Sequence, residues 1–562
     1  MKKLSLFSIL LLLFVCPSGV FGEDATSHEE DVRRTTAVAL NYCRAALHRI
    51  RRHPDKAVLL EEQQRILNNI DLNKIEDPEV IALYKSILDE ISTVEISDRE
   101  RVVIDEQFRR NSHRQLGTSF FVVGAQVATG QLGSAIQSGA NSWWDYRNQE
   151  VRRDSDQWKV ERNEMTSLMS RSGTFLDSFW RLSQKNNIPD RWLIRDDDLD
   201  QLGRVLAEQD PSQRLRMLTR MERFMECYPP YWYYVGRTQQ QLGMTEEALG
   251  TYQRLTAIGR GHFRQDDMLA ASMANMALLL EMNGDPSAPD VAFQVPDFSI
   301  RSWESNLISA WVLGRHQRFS DAEELILCNL DEDQETGQSR VALVSLYYHS
   351  EDKVKLAALL DDPQILSEVP IPGLLLSTRL LEGKVPARAQ QFLVSSLNVM
   401  ARTNGRRDSV SLMASAAWKL QDAQPKIRTS RQEFHQVGYR PLPRGIAAEF
   451  ASEAAGDEES STDVDRIQLI LNYPETPPIH VWLSANRIHE SSNRSSGGPG
   501  AFLSGQGNGR LALFPTRDVQ YQIREIEMDG IRLSLGEPAL EQDRKPESRR
   551  EVSIDEDPVY RF

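Results

Sequence analysis

Apolar residues recur every three or four positions through most of this chain and at alternate positions near its end. Val32, Leu40, Leu47 and Ile50 predict a helix that stops before Pro54. Asp77-Pro78 opens another, whose apolar face is Ile81, Leu83, Tyr84, Ile87, Leu88 and Ile91. The basic run "RIRRHPDK" around residue 50 reads as the solvated end of the first helix, its cations complementing the helix dipole. Further on, Trp144, Val151, Trp158, Met165, Ser172 and Phe179 fall at intervals of seven, with Leu168, Phe175 and Leu182 three places later. That partial heptad seam suits either a second chain or the chain's own helices. Asp196–Asp198, just before Leu199, Leu202 and Val205, fit a helix N-terminus better than a cation site. After residue 465 the period changes to two. "IQLILNY", "IHVWLSA", "RLALFPT", "VQYQIREIEM" and "IRLSLGE" predict strands, and Asp529-Gly530 predicts a tight hairpin.

The stretch "YPPYWYYVGRTQQQLGMTEEALGTYQRL" (228–255) carries the most specific spacing. Trp232, Val235, Gly236, Gly243, Ala248 and Tyr252 lie at relative offsets 0, 3, 4, 11, 16 and 20. This resembles the tetratricopeptide repeat, a helical hairpin of about 34 residues. In that reading Gly236 and Ala248 are small where two antiparallel helices cross. Trp232, Val235 and Tyr252 fill the space around the crossing, and Gly243 makes the turn. Gln239 and Leu255 depart from the pattern. The competing reading of the aromatic cluster is a cage for a cationic ligand. More degenerate hairpins follow, with Ala322 in the role of Ala248 at an interval of 74 (322 − 248). "VALVSLYYHSEDKVKLAALLDD", "LSTRLLEGKVPARAQQFLVSSLN" and a closing "SVSLMASAAWKLQ" continue the series to about residue 425. One hairpin cannot bury its own face, so a stack is required.

Between Gln115 and Trp144 no charged residue occurs. Small residues sit four apart there, among them Gly124, Ala128, Gly130, Gly133, Ser134 and Ser138, before Trp143 and Trp144. Such ladders let helix backbones approach closely, and paired tryptophans suit a bilayer interface. Gln126, Gln131 and Gln137 make the segment a polar one for a span, so membrane association and self-association into a homo-oligomer both stay open. This segment, the "WW-x-Y" exit, the charged helix and "IPD…YPPYWYYVG" together resemble a group of exported or membrane-associated bacterial tetratricopeptide-like proteins over about residues 116–260. The resemblance implies architecture and no chemistry.

The expected fold is mainly α: a helical N-terminal region and a TPR-like α-solenoid, followed by a small antiparallel β domain. The expected divisions are an export signal at 1–22, a helical region at 23–115 and the small-residue segment at 116–142. A long helix and solenoid take 143–425, a linker and β domain 426–538, and a disordered tail 539–562. The signal reading rests on Lys2-Lys3, the apolar run Leu4–Val15 and Val20-Phe21-Gly22. Its removal takes the formal charge from −15 to −17 (two lysines lost). An acidic chain repels phosphate backbones, so no nucleic-acid partner is expected. Cys43, Cys227 and Cys328 are too few and too scattered for a disulfide framework or a metal site. Asp331–Gly337 lacks the glycine and glutamate of a calcium loop, and "SSNRSSGGPGAFLSGQGNG" lacks a phosphate-gripping ending. His480 and His489 have no third ligand. No catalytic, cofactor or metal residues are therefore assigned. The expected function is an exported, non-catalytic scaffold that binds a protein or peptide in the solenoid groove. The alternatives are an envelope assembly protein acting through 116–142 and a hydrolase with its site in the β domain.

Overall fold

The computed structural model describes, apart from short breaks, residues 23–94, 175–259, 265–452, 466–491 and 516–535. The small-residue segment, most of the heptad seam and the C-terminal tail lie outside the described residues. The chain divides into two compact units, one ending at Ser350 and the other starting at Glu351.

The described part of the first unit is helical. Residues 23–52 contain neither proline nor glycine, and α1 (Glu23–Arg52) runs through them unbroken. α2 (Lys56–Gln64) continues into one π turn (Arg65–Asn69), and α3 (Pro78–Ser92) starts where Asp77 accepts from the Glu79 amide at 2.9 Å. α4 spans 175–185. Then come α5 (Asp196–Leu206), α6 (Pro211–Met225), α7 (Pro229–Gln241), α8 (Thr245–Gly259) and α9 (Asp267–Met282). α10 (Ala288–Phe293), α11 (Trp303–Arg315), α12 (Phe319–Asp331) and α13 (Thr336–His349) complete the unit. Neighbours in this order pack on one another: α6 on α7, α7 on α8, α8 on α9, α9 on α11, α11 on α12 and α12 on α13.

One turn device recurs. α4, α7, α9, α11 and α12 each have a left-handed residue two places past their last helical one: Asn187, Gly243, Gly284, Gln317 and Asp333. The next amide reaches back to a carbonyl in the last helical turn. Met244 N donates to Gln239 O at 3.0 Å, Asp285 N to Leu280 O at 2.9 Å and Arg318 N to Leu313 O at 3.0 Å. This end motif satisfies carbonyls that the helix itself leaves orphaned.

The basic run near residue 50 ends α1 with Arg52 and His53 exposed, but Arg49 and Arg52 in it, like Arg44 and His48 before it, are paired with carboxylates. Arg44 Nε reaches Asp196 at 3.1 Å, His48 Nε2 reaches Asp200 at 3.0 Å, and Arg52 also pairs with Asp200. Arg49 pairs with Glu61 and Glu62, as does Arg65. Asp198 does act at the α5 N-terminus, accepting from Arg195 N at 2.9 Å. The carboxylates of the acidic run are thus shared between a helix start and a clasp on α1.

In the second unit α14 (Lys353–Leu359), α15 (Pro363–Glu368), α16 (Ile371–Leu380) and α17 (Ala387–Ser395) precede nine antiparallel strands. These are β1 (Leu397–Thr403), β2 (Asp408–Ser415), β3 (Gln424–Arg428), β4 (Glu433–Leu442), β5 (Gly445–Ala451), β6 (Arg466–Asn472), β7 (Ile479–Ser491), β8 (Thr516–Met528) and β9 (Ile531–Ser534). Their order is β1-β2-β5-β4-β3-β6-β7-β8-β9, and β1 also pairs with β8, so the first eight close a barrel. β2 lies beside β5, not β3, which makes β2–β5 a Greek key. Alternate residues point inward: Val399 on β1, Val410 and Leu412 on β2, Phe450 on β5, Leu469 on β6 and Ile523 on β8 are buried. Trp418 is buried in a short 3-10 turn, its Nε1 donating to Ser396 Oγ at 2.8 Å while its carbonyl accepts from Tyr473.

The strands start at Leu397, inside the stretch expected to end the helical array. "SVSLMASAAWKLQ" is not a helix. Val410, Leu412 and Ala414 alternate inward on β2, and the alanine-rich end is the Trp418 turn. The hairpin expected at Asp529-Gly530 is present, with both residues at positive φ (48° and 76°), as a two-residue turn between right-twisted strands requires.

Candidate functional site: the inner helices

The residues picked out for repeat packing, apart from Ala322 on α12, meet at the α7–α8 hairpin. A Cβ on Gly236 would lie 2.8 Å from Cε1 of Tyr252, so only glycine admits the aromatic ring there. Ala248 and Tyr252 are fully buried, and Trp232 and Val235 nearly so. Gly243 makes the turn at φ +74°. The Trp232 indole donates to Glu226 O at 3.0 Å, and Arg254 lies over its ring at 3.7 Å. The chain's own cation occupies the face that a ligand cage would have offered.

α11 and α12 repeat this hairpin 74 residues later. α7 and α11 are each 13 residues long and start 74 apart (303 − 229); α8 and α12 also start 74 apart (319 − 245). Ala322 is fully buried, and the left-handed residue recurs from 243 to 317. The side chains between do not recur. Asn306 stands 74 past Trp232, Ser309 past Val235, and Ile326 past Tyr252. Only the small residue and the turn are common to both hairpins.

The helices that begin each pair have no solvent face over most of their length. α7 from Pro229 to Thr238, α9 from Met268 to Leu280 and α11 from Trp303 to Ala310 are buried at every position. Stacked hairpins predict an accessible groove along such helices; here that face is covered. The covered residues include a polar stripe: Arg237 and Gln240 on α7, Ser272 and Asn275 on α9, Glu304, Asn306 and Ser309 on α11. Part of it is internally bonded. Tyr252 donates to Gln240 Oε1 at 2.8 Å, Asn275 to the Tyr252 hydroxyl at 3.4 Å, and Asn306 to Asn329 Oδ1 at 2.8 Å. Among the described residues, Trp303 Nε1, Asn306 Oδ1, Ser309 Oγ and Ser339 Oγ are buried with no hydrogen-bond partner, an uncommon and costly condition.

Burial also shapes the electrostatics. It pushes the Tyr233 and Tyr252 phenols well up, against the opposing charge of Arg237. At the start of α9, burial raises Asp266 to about 6 although its carboxylate accepts from Leu269 N at 3.0 Å. Asp267 is raised for the same reason and holds Ser299 Oγ at 2.5 Å. The charge on Arg65 opposes both shifts.

One keystone was not visible in the sequence. Asn41, fully buried on α1, donates to Trp192 O at 2.6 Å and Cys227 O at 3.0 Å and accepts from Ile194 N at 3.0 Å. Its neighbours on the helix, Ala37, Val38, Arg44 and Ala45, give no local signal that marks it. Cys43 and Cys227 are buried thiols; burial raises Cys227 to about 12 and Cys43 further. In the barrel, His480 Nδ1 sits 3.1 Å from Gln468 Nε2, and its ring lies against Trp482. Among the described residues no cluster of His, Cys, Asp or Glu could hold a metal, and no helix is long and apolar enough to cross a membrane. The segment with Gly124, Ala128, Gly130, Gly133, Ser134, Ser138, Trp143 and Trp144 lies outside the described residues.

Compared with protein-family models, curated proteins and solved structures, the chain matches none.

Proposed function

We propose that this chain is an exported, non-catalytic scaffold that binds a protein or peptide partner through a TPR-like solenoid built from α7 to α12. The observation that carries the reading is the duplicated hairpin, with equal helix starts, a buried alanine and a left-handed turn residue all 74 residues apart. Stacked hairpins of this kind create an extended inner surface without any catalytic demand. The polar stripe supports the same reading, because Asn306 Oδ1 and Ser309 Oγ within it lack partners and match the hydrogen-bonding groups of a polypeptide. Since the inner helices are covered at rest, a partner gains the stripe by displacing what covers it, at a cost set by the difference in affinity.

The test is site-specific photo-crosslinking of the intact protein in native cell envelopes. A photoreactive residue at Gln239 or Trp311, on the inner helices, should capture a defined partner, while one at Leu327 on α12 should not. Capture from Leu327 alone, or from neither position while a probe in the barrel captures, would sink the proposal.

A further inference from the structure

β4 is paired on one side only for most of its length. β5 accompanies it from His435 to Leu442, but β3 meets it only at Glu433 and Phe434. Beyond those two residues, no strand among the described residues takes up the other edge of β4. β3 likewise leaves Gln424, Pro425 and Lys426 unpaired on that side, its far edge being held by β6. The barrel therefore has a seam between β3 and β4.

The seam is exposed along its middle. A bulge between Gln436 and Gly438 turns β4 aside, leaving Val437 66% exposed. Tyr439 is 46% exposed although Ala448, directly opposite on β5, is 1% exposed. A core-facing position is thus left uncovered. Folded proteins ordinarily blunt such an edge with charge, proline, a bulge or a covering strand; among the described residues this seam has Pro425, Pro441, the bulge and the cations Lys426 and Arg440, and no covering strand. The charge around the seam inverts that of the chain. β3, β4 and β5 carry Lys426, Arg428 and Arg440 against Glu433 and Glu449, a balance of +1 (3 − 2) in a protein of net charge −15. Glu433 sits at the closed end opposite Arg428, and Glu449 lies beyond β4 on β5. Lys426, Arg428 and Arg440 are exposed on the outer face; Tyr439 and Ile427 belong to the inner one.

We infer that this seam docks an extended acidic peptide from a partner protein, which adds to β4 as an extra strand. Main-chain hydrogen bonds to the free edge supply affinity, and alternate side chains supply specificity. Acidic residues on one face of the peptide meet Lys426 and Arg440, while apolar residues on the other cover Tyr439. The inference is independent of the helical stack and of the partner proposed there.

The experiment titrates the intact chain into fluorescein-labelled eight-residue peptides and follows anisotropy. A peptide alternating glutamate with valine should bind saturably. Its lysine counterpart should bind at least about tenfold more weakly, as should the glutamate peptide to a Lys426→Glu/Arg440→Glu variant with an unchanged circular dichroism spectrum. N-methylation at alternate peptide nitrogens, which removes the edge donors, should abolish binding. Equal binding of the two charge types, retention by the N-methylated peptide, or no saturable binding would overturn the inference. So would concentration-dependent dimerisation in sedimentation that Val437→Pro abolishes, because it would assign the edge to a second copy of this chain.

Discussion

Replacing Asn41 by alanine removes three hydrogen bonds at once, and all three lead to backbone groups far away in the chain. The Trp192 and Cys227 carbonyls lose their donor at 2.6 and 3.0 Å, and the Ile194 amide loses its acceptor at 3.0 Å. Asn41 and Ile194 are both fully buried, so water is not at hand to replace the lost partner. Each such bond contributes about 1 kcal/mol net, and a buried group left unsatisfied costs about 1–3 kcal/mol. The expected destabilisation is therefore about 3–5 kcal/mol, a large share of the stability of an ordinary domain. Urea denaturation followed by far-ultraviolet circular dichroism measures it, and amide exchange at Ile194 localises it. Asn41→Asp should be at least as damaging, since it keeps the acceptor but loses both donors and buries a charge. A loss below about 1 kcal/mol, with Ile194 exchange unchanged, would mean that the asparagine does not hold α1 to the Trp192–Ile194 segment.

Two glycines should respond in opposite directions. Gly236→Ala drives a methyl into the buried Tyr252 ring and should cost about 1–3 kcal/mol, whereas exposed Gly250, with nothing within 4 Å, should gain about 0.5–1 kcal/mol as alanine. Chemical denaturation of both variants gives the contrast, and equal effects would refute the close crossing. Gln317→Gly relieves a left-handed residue at φ 60° and should raise stability by about 1 kcal/mol, read as a shift in thermal midpoint. Asp266, raised by burial to about 6, is better tolerated protonated than charged. Its contribution is present at low pH and fades as pH rises from the unfolded carboxylate value near 4 through about 6. Asp266→Asn keeps the helix cap and should remove the share of the pH dependence owed to Asp266, leaving that of Asp267, with a gain of about 2–3 kcal/mol at pH 8 by urea titration.

What could be read from the sequence was local. Asp529-Gly530 and the alternation in β6, β8 and β9 are complete within a dozen residues, and so are Gly236, Gly243 and Ala248. β2 was hidden because the alanine-rich run that ends it, Ala414 to Ala417, imitates a helix. The inner helices were harder. Arg237, Gln240, Asn275 and Glu304 look like a solvated face, and their burial depends on parts of the chain that no short window contains. The same is true of Arg44 and His48, whose carboxylate partners lie 152 residues away, and of Asn41. Spacing showed where a helix turns, but not what would come to lie against it.

The pairing of β1 with β8 sets an order of events during synthesis. Val399 waits for Tyr521, 122 residues further on (521 − 399). At ordinary translation rates that delay is roughly 6–24 s, a long time for a strand with one edge bare. Most helices of the first unit pack on near neighbours, although α1 has its own wait, 152 residues from Arg44 to Asp196. A chain cut short before residue 516 would keep every helix described above yet carry a permanently unclosed ring of strands, and so would be prone to stick to its own kind.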